Sequence, residues 1–219
     1  TWLRGLPLRQ DRSVVKAYDG RDLNSPSAAV VLMDVGQKDL QQCADTAIRL
    51  YAEWKWARGQ ADELLLHFTS GDVAGWKAWR TGVRWSVKGN QVSHRQSAAT
   101  DASYSSFKNY LALVFTYAGT RSLPSDSVAV NTAMPGDFYV QSGSPGHAVV
   151  VLDVAEDSAG RRVALLGQGF MPAQELHVLK SSGARVLKGV WFLLPDADHT
   201  QLKTPSWKAF EASDLRRFK

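Results

Sequence analysis

The sequence has a single cysteine, Cys43, among 219 residues. One cysteine excludes an intramolecular disulfide and any zinc site built from several thiolates. No apolar run approaches the ~20 residues that a membrane-spanning helix needs, so we expect no transmembrane segment. Hydrophobic residues at 44% and charged residues at 21% are typical of an ordinary globular chain. The single thiol therefore has either a packing role or a chemical role.

Motifs of several familiar enzyme classes are also missing. Ser144 does not stand in the Gly-x-Ser-x-Gly turn of serine hydrolases. The five histidines lack the spacing of metal ligands, and neither common glycine-rich phosphate loop occurs. We therefore expect no metal and no other cofactor.

The net charge of +5 comes from basic residues that are scattered along the chain, with the densest group at Arg216, Arg217 and Lys219. Scattered basic charge is typical of a solvated surface and also suits anionic polymers in general, so we predict no nucleic-acid partner. Eight tryptophans are many for this length; most are expected in the core, although several could line a groove. The oligomeric state stays open.

Hydrophobic spacing predicts helices first and an antiparallel series of strands second, which is an α+β arrangement. One helix is predicted over Lys38–Arg58, ended by Gly59, and a second runs from a Ser103 cap to Gly119. A lead-in segment, 1–27, precedes them in what we take as one domain, 1–219. The chain starts at Thr1 rather than Met, which is compatible with a processed leader. The predicted strands are Ala28–Val35, Leu64–Thr69, Val83–Val87, Gln91–Arg95, Gly136–Gln141, His147–Val154, Arg162–Gln168, Glu175–Leu179 and Val190–Leu194, before a short final helix, Trp207–Ser213.

Two residues are candidates for chemistry. His147 follows a loop of small residues and opens a predicted buried strand, a rigid setting that suits a general base and equally suits a structural histidine. Cys43 lies near the start of the first helix, where the helix dipole stabilises a thiolate. It also lies on the apolar face of that helix, which is typical of an inert buried cysteine.

Several stretches together resemble a bacterial family known only as domain of unknown function number forty-eight forty-six, and the resemblance spans nearly the whole chain. The family name implies no activity. The stretches are Val35–Asp45, Phe68–Gly71, Val114–Gly119, Gly143–His147 and Gln168–Gln174.

A more distant resemblance does imply an activity. Pro135–Val140 followed by Gly146–Val151 is similar to the strand pair around the catalytic histidine of NlpC-type and CHAP-type cysteine peptidases of the cell wall, which have a papain-like fold. In that order of elements the resemblance implies Cys43 as nucleophile, His147 as base and Gln168 as the residue that orients the imidazole. It also implies that residues 60–125 are an insertion. The residues considered for oxyanion or substrate binding are Gln37, which stands six residues before Cys43 as a glutamine does in papain relatives, and Gln42, Ser144, Gly146 and Gln174.

The resemblance implies a cysteine amidase or peptidase that acts on peptidoglycan peptides, and hence an exported, periplasmic or envelope-associated protein, of which a processed lipoprotein is one form. We expect Cys43 Sγ and the His147 ring about 3–4 Å apart, with a thiolate that reacts at about pH 6. The alternative is an inactive binding or scaffold protein of the same fold, with Cys43 packed in the core. Reactivity of the thiol separates the two.

Overall fold

The computed structural model describes residues 2–11 and 14–219. Within this part of the chain, three α-helices are found: α1 (Cys43–Ala57), α2 (Trp76–Arg80) and α3 (Tyr104–Tyr117). The strands are β1 (Val15–Lys16), β2 (Asp22–Leu23), β3 (Ser27–Val30), β4 (Leu65–His67), β5 (Val73–Gly75), β6 (Val83–Lys88), β7 (Gln91–Gln96), β8 (Ser127–Ala129), β9 (Phe138–Gln141), β10 (His147–Glu156), β11 (Arg162–Gln168), β12 (His177–Leu179), β13 (Val186–Leu187), β14 (Trp191–Leu193), β15 (Gln201–Leu202), β16 (Phe210–Glu211) and β17 (Leu215–Phe218).

The largest sheet has nine strands, and its pairs are antiparallel. Its main path runs β13-β14-β11-β10-β9-β17-β8, while β12 pairs with the end of β11 and with β3. The last strand, β17, lies between β9 and β8. The structure is thus mixed α and β with antiparallel sheets, as the helical and strand spacing predicts.

The alternation of β10 divides the core into two clusters. Ala148 and Val150 pack into the cluster that contains the helices, whereas Val149 and Val151 pack into the cluster on the other face, as the period of two of a strand requires. On α1 the apolar face is built mainly from alanines with the fully buried Ile48. Small side chains let the helix backbone approach the sheet closely, and burial of one isoleucine contributes about 1.5–3 kcal/mol.

Residues 60–125, predicted to be an insertion, contribute to the same helical cluster. Phe68, Trp76, Phe107 and Tyr110 from this range are buried with Ile48. The β6–β7 hairpin agrees with its prediction, and α3 begins after the Ser103 cap, whose hydroxyl accepts the N–H of Ser106 at 3.1 Å.

Several sequence predictions of local structure are wrong. The first helix begins at Cys43, not Lys38, because residues 32–42 are held by tertiary contacts rather than by helical hydrogen bonds. The predicted final helix, Trp207–Ser213, is an irregular segment followed by β16 and a short 3-10 helix, Ala212–Asp214. Residues 120–135, for which the sequence predicts neither a helix nor a strand, contain a 3-10 helix, Leu123–Asp126, and β8, and α2 has no counterpart among the predicted helices. Of the lead-in segment, Thr1, Arg12 and Ser13 lie outside the described residues.

Candidate functional site

His147 and Gln168 meet side by side on one face of the sheet. The imidazole Nε2 lies 2.9 Å from Gln168 Oε1. His147 is 1% exposed and Gln168 is 2% exposed. Because an amide oxygen only accepts, Nε2 carries the proton and Nδ1 is the unprotonated nitrogen. The hydrogen bond therefore selects one tautomer and fixes the plane of the ring.

Aromatic side chains surround this hydrogen bond. The His147 ring centroid is 4.9 Å from that of Phe170, 5.1 Å from that of Trp207 and 6.2 Å from that of Phe210. Burial lowers the pKa of His147 to about 4, although the hydrogen bond to Gln168 opposes this effect. The imidazole is therefore neutral at pH 7, and its Nδ1 carries no proton.

The segment before β16, which contains Ser206 and Trp207, covers the His147 ring, and we call it the cover. Hydrogen bonds hold it to the sheet. Gln168 Nε2 donates to Ser206 Oγ at 3.2 Å. Trp207 Nε1 donates to Gln141 Oε1 at 3.0 Å, and Gln141 is the partner of His147 in the β9–β10 register. The segment that covers the imidazole thus depends on the two strands that flank β10.

Cys43 is the first residue of α1, one residue after the N-cap Gln42. In the first turn, Asp45 accepts the N–H of Gln42 at 3.2 Å, as an acidic residue near a helix start does. The thiol is 7% exposed. Burial raises its pKa, the backbone N–H of Ala148 opposes this by bonding to the sulfur, and the charge of Asp45 adds to the increase. Burial also raises the pKa of Asp45 to about 8.

Helix α1, which Cys43 begins, packs on the Ala148 face of β10, whereas the alternation of the strand places the His147 ring on the other face, beside Phe210. Among the described residues, no hydrogen bond joins the sulfur to the imidazole: the ring bonds to Gln168, and the amide of Ala148 acts on the sulfur. Burial disfavours both the thiolate and the imidazolium. The resting protein therefore favours a neutral thiol and a neutral imidazole over the ion pair that the sequence suggested.

The loop after β11 packs on the start of α1. Asp39 Oδ1 accepts the N–H of Ala173 at 2.7 Å and Gln42 Nε2 at 3.0 Å. A Cβ at Gly169 would overlap Thr46 Oγ1 and lie 3.1 Å from the carbonyl oxygen of Gln42. The backbone after Gln168 and the helix start after Cys43 thus fit together only because residue 169 has no side chain.

The other predicted site residues are dispersed. Gln37 and Ser144 are exposed. The side-chain amide of Gln42 donates a hydrogen bond to Asp39. Gln174 is buried, and its Nε2 lies 3.4 Å from Ser25 Oγ. A Cβ at Gly146 would overlap Thr120 Oγ1, so this glycine is required for close packing of the loop before His147. Binding roles for these five residues stay predictions.

Sequence reasoning missed three residues near the site, Trp207, Phe170 and Asp45, whereas His177 was considered as a substitute for Gln168 in orienting the imidazole. His177 is the β12 partner of Gln168 and is fully buried. Its Nδ1 donates to the carbonyl of Glu175 at 3.0 Å, and Nε2 has no partner among the described residues. Phe170 could have been noted from its place two residues after Gln168. Trp207 had no local signal, because only the fold brings it to His147.

No cluster of three or more His, Cys, Asp or Glu side chains that could hold a metal ion occurs in residues 2–11 and 14–219. Over the same residues, no helix has the length and apolar character to cross a bilayer.

Together these elements define a mixed α and β protein in which a strand-initial histidine is hydrogen-bonded to a glutamine on the next strand and a cysteine begins the first helix. The chain belongs to the family described as "Domain of unknown function (4846)", whose sequence profile matches residues 1–217. No curated protein and no solved structure matches it.

Proposed function

We propose that the protein is a papain-like cysteine amidase or peptidase in which Cys43 is the nucleophile, His147 the base and Gln168 the residue that orients the base. The observation that carries the proposal is the buried hydrogen bond from His147 Nε2 to Gln168 Oε1, at 2.9 Å. It leaves Nδ1 as the proton acceptor, and the aromatic cover keeps water from competing for the bond.

The neutral resting state fits a general-base form of this chemistry. His147 Nδ1 takes the thiol proton as Cys43 Sγ bonds to the carbonyl carbon of an amide. The tetrahedral species collapses when the C–N bond breaks, and the leaving amine takes the proton from His147. Water, deprotonated by the same nitrogen, then attacks the thioester; the C–S bond breaks and the thiol is restored.

For the substrate, we propose amide bonds of peptidoglycan stem peptides, and an exported, periplasmic or envelope location would follow. The support is the resemblance of the strands around His147 to those of cell-wall peptidases, together with a net charge of +5, which suits a polyanionic wall.

The test measures alkylation of Cys43 by iodoacetamide as mass-shift kinetics between about pH 4 and pH 8, with folding checked by circular dichroism. If His147 is the base, the rate falls as the pH falls toward its pKa of about 4, because imidazolium cannot accept a proton. His147→Gln, which keeps a polar side chain of similar size, is expected to slow the reaction about tenfold or more at about pH 6.

The matched control is His94→Ala, because His94 is an exposed histidine of the β7 strand; this variant should react like the wild type. Unfolded protein gives the rate of an ordinary thiol. A cysteine that stays unmodified until unfolding, or that reacts equally in His147→Gln, would contradict the nucleophile assignment.

One observation favours a second candidate, a binding or scaffold protein of the same fold. Cys43 is only 7% exposed, and its pKa is raised by burial, both of which are typical of a packed, inert thiol. Under this alternative the loop before His147 is a recognition surface. The alkylation experiment separates the two candidates without knowledge of the substrate.

A further inference from the structure

A cleft of about 420 Å³ adjoins the candidate site. Two of its lining residues, Val140 and Gln141, are the β9 partners of Ala148 and His147. The second of these β10 residues carries the imidazole of the candidate site. The cleft therefore lies one strand away from the proposed base, His147.

The cleft contains a guanidinium that is held in place without an acidic partner. Arg216 Nε donates to Ser127 Oγ at 2.8 Å, and its Nη2 donates to the carbonyls of Ser127, at 3.0 Å, and Pro124, at 3.2 Å. All three acceptors are neutral, and Nη1 makes no hydrogen bond within the described residues. The guanidinium is thus oriented on one side while its charge is left uncompensated.

The rest of the lining agrees with an anionic ligand. Lys208, next to Trp207 in the cover, is exposed and forms no ion pair within the described residues. Ser142 and Ser213 add hydroxyl groups. The one acid of the lining, Asp214, accepts Gln141 Nε2 at 3.0 Å and the N–H of Glu211 at 2.9 Å through Oδ2, so the lining has one negative charge against the two positive charges of Arg216 and Lys208.

We propose that this cleft binds a carboxylate of the peptide substrate, held by Arg216 and Lys208, and so selects acidic peptides for cleavage beside it. The inference rests on the proposed function for its catalytic meaning. A guanidinium fork and an ammonium group are the usual partners of a carboxylate. The carboxylate can belong to a chain end or to an acidic side chain, and the probes below distinguish them.

The experiment follows binding by NMR titration of the full chain carrying Cys43→Ala, which prevents turnover. Three probes are compared: N-acetylalanylalanine, its C-terminal carboxamide, and N-acetylglutamylalanine carboxamide. At least one acidic probe is expected to bind about tenfold more tightly than the neutral carboxamide, with shifts at the amides of Gln141, Ser142 and Lys208. The acidic probe that binds identifies the source of the carboxylate.

Lys208→Gln should weaken binding of that probe several-fold, whereas Lys203→Gln, at another exposed lysine of the same segment outside the cleft, should not change it. Arg216→Lys, which keeps the charge but not the fork, is a second variant with its melting temperature as a check on folding. Equal binding of acidic and neutral probes, binding of none, or equal effects of the two lysine variants would overturn the proposal. Since the titration uses Cys43→Ala, its result is independent of the alkylation test, and either can fail alone.

Discussion

The His147 imidazole is almost completely buried at the candidate site. Its pKa of about 4 lies below the value of about 6.5 for a free histidine. Between these two values the unfolded chain binds a proton that the folded protein does not. The free energy of unfolding therefore falls as the pH falls from about 6.5 to about 4, by about 3 kcal/mol for this group.

Gln168→Glu tests the role of the neutral amide. A carboxylate that accepts from Nε2 stabilises the imidazolium, so we expect the pKa of His147 to rise above about 4, measured by NMR titration of the ring. The variant should also lose less stability than the wild type between about pH 6.5 and pH 4. Gln91→Glu, at the exposed start of β7, is the control, and no change in the pKa of His147 in Gln168→Glu would contradict the hydrogen bond.

Individual residues differ in how far the sequence predicts them. Gln168 could be paired with His147 because the polar connection between their strands predicts an antiparallel hairpin, and the two side chains do meet. The raised pKa of the Asp45 carboxyl could not be predicted from the sequence, because it depends on burial by elements that are distant in sequence. The cover residue Trp207 was assigned to a helix that does not exist, since hydrophobic spacing over so few residues does not distinguish a turn of helix from an irregular segment.

At the scale of elements, the contact between the loop after β11 and the first turn of α1 holds the candidate site together. Gly169→Ala should force these two elements apart, because the new Cβ overlaps Thr46 Oγ1 and approaches the carbonyl of Gln42. We expect a loss of about 1–3 kcal/mol in the free energy of unfolding by urea.

Adding Thr46→Ala should recover part of that loss, since the hydroxyl is removed but the Gln42 carbonyl remains. Gly5→Ala is the matched control, because a Cβ at Gly5 meets nothing within 4 Å. If Gly169→Ala is as stable as Gly5→Ala, the close fit of the two elements is wrong.

The boundary of α1 illustrates what local signals miss. The apolar spacing extends upstream of Cys43, so the sequence predicts a helix from Lys38. In the structure, Arg49 Nη1 donates to Gln41 Oε1 at 3.0 Å and its Nη2 pairs with Asp34 at 3.2 Å, which holds the preceding chain in a non-helical path. Cys43 is consequently at the start of the helix, where the dipole acts most strongly on a thiol.

At the scale of the whole molecule, the sheet separates two hydrophobic clusters that share strands β10 and β11. Phe107 lies in the helical cluster and Phe192 in the other, and both are almost fully buried. Phe107→Ala and Phe192→Ala should each cost about 3–5 kcal/mol. Because the clusters share strands, we expect each variant to lower the midpoint of one common transition, followed by calorimetry and by circular dichroism.

Two transitions, with Phe107→Ala moving only one of them, would mean that residues 60–125 unfold separately. The outcome also bears on the limits of prediction from sequence. The α+β class follows from helical spacing before strand spacing, whereas the position of β17 between β9 and β8 has no signature in the residues themselves, since strand order depends on which edges remain free after the rest has packed.

The position of the cover late in the chain has a consequence for biosynthesis. Cys43 is made first, His147 and Gln168 much later, and Trp207 and β17 later still. On the ribosome, a growing chain can contain the whole proposed triad while its imidazole is still open to water and its sheet lacks the strand between β9 and β8. The His147–Gln168 hydrogen bond is therefore shielded from water only in the last steps of folding. In a nascent chain, the same two side chains are exposed to solvent.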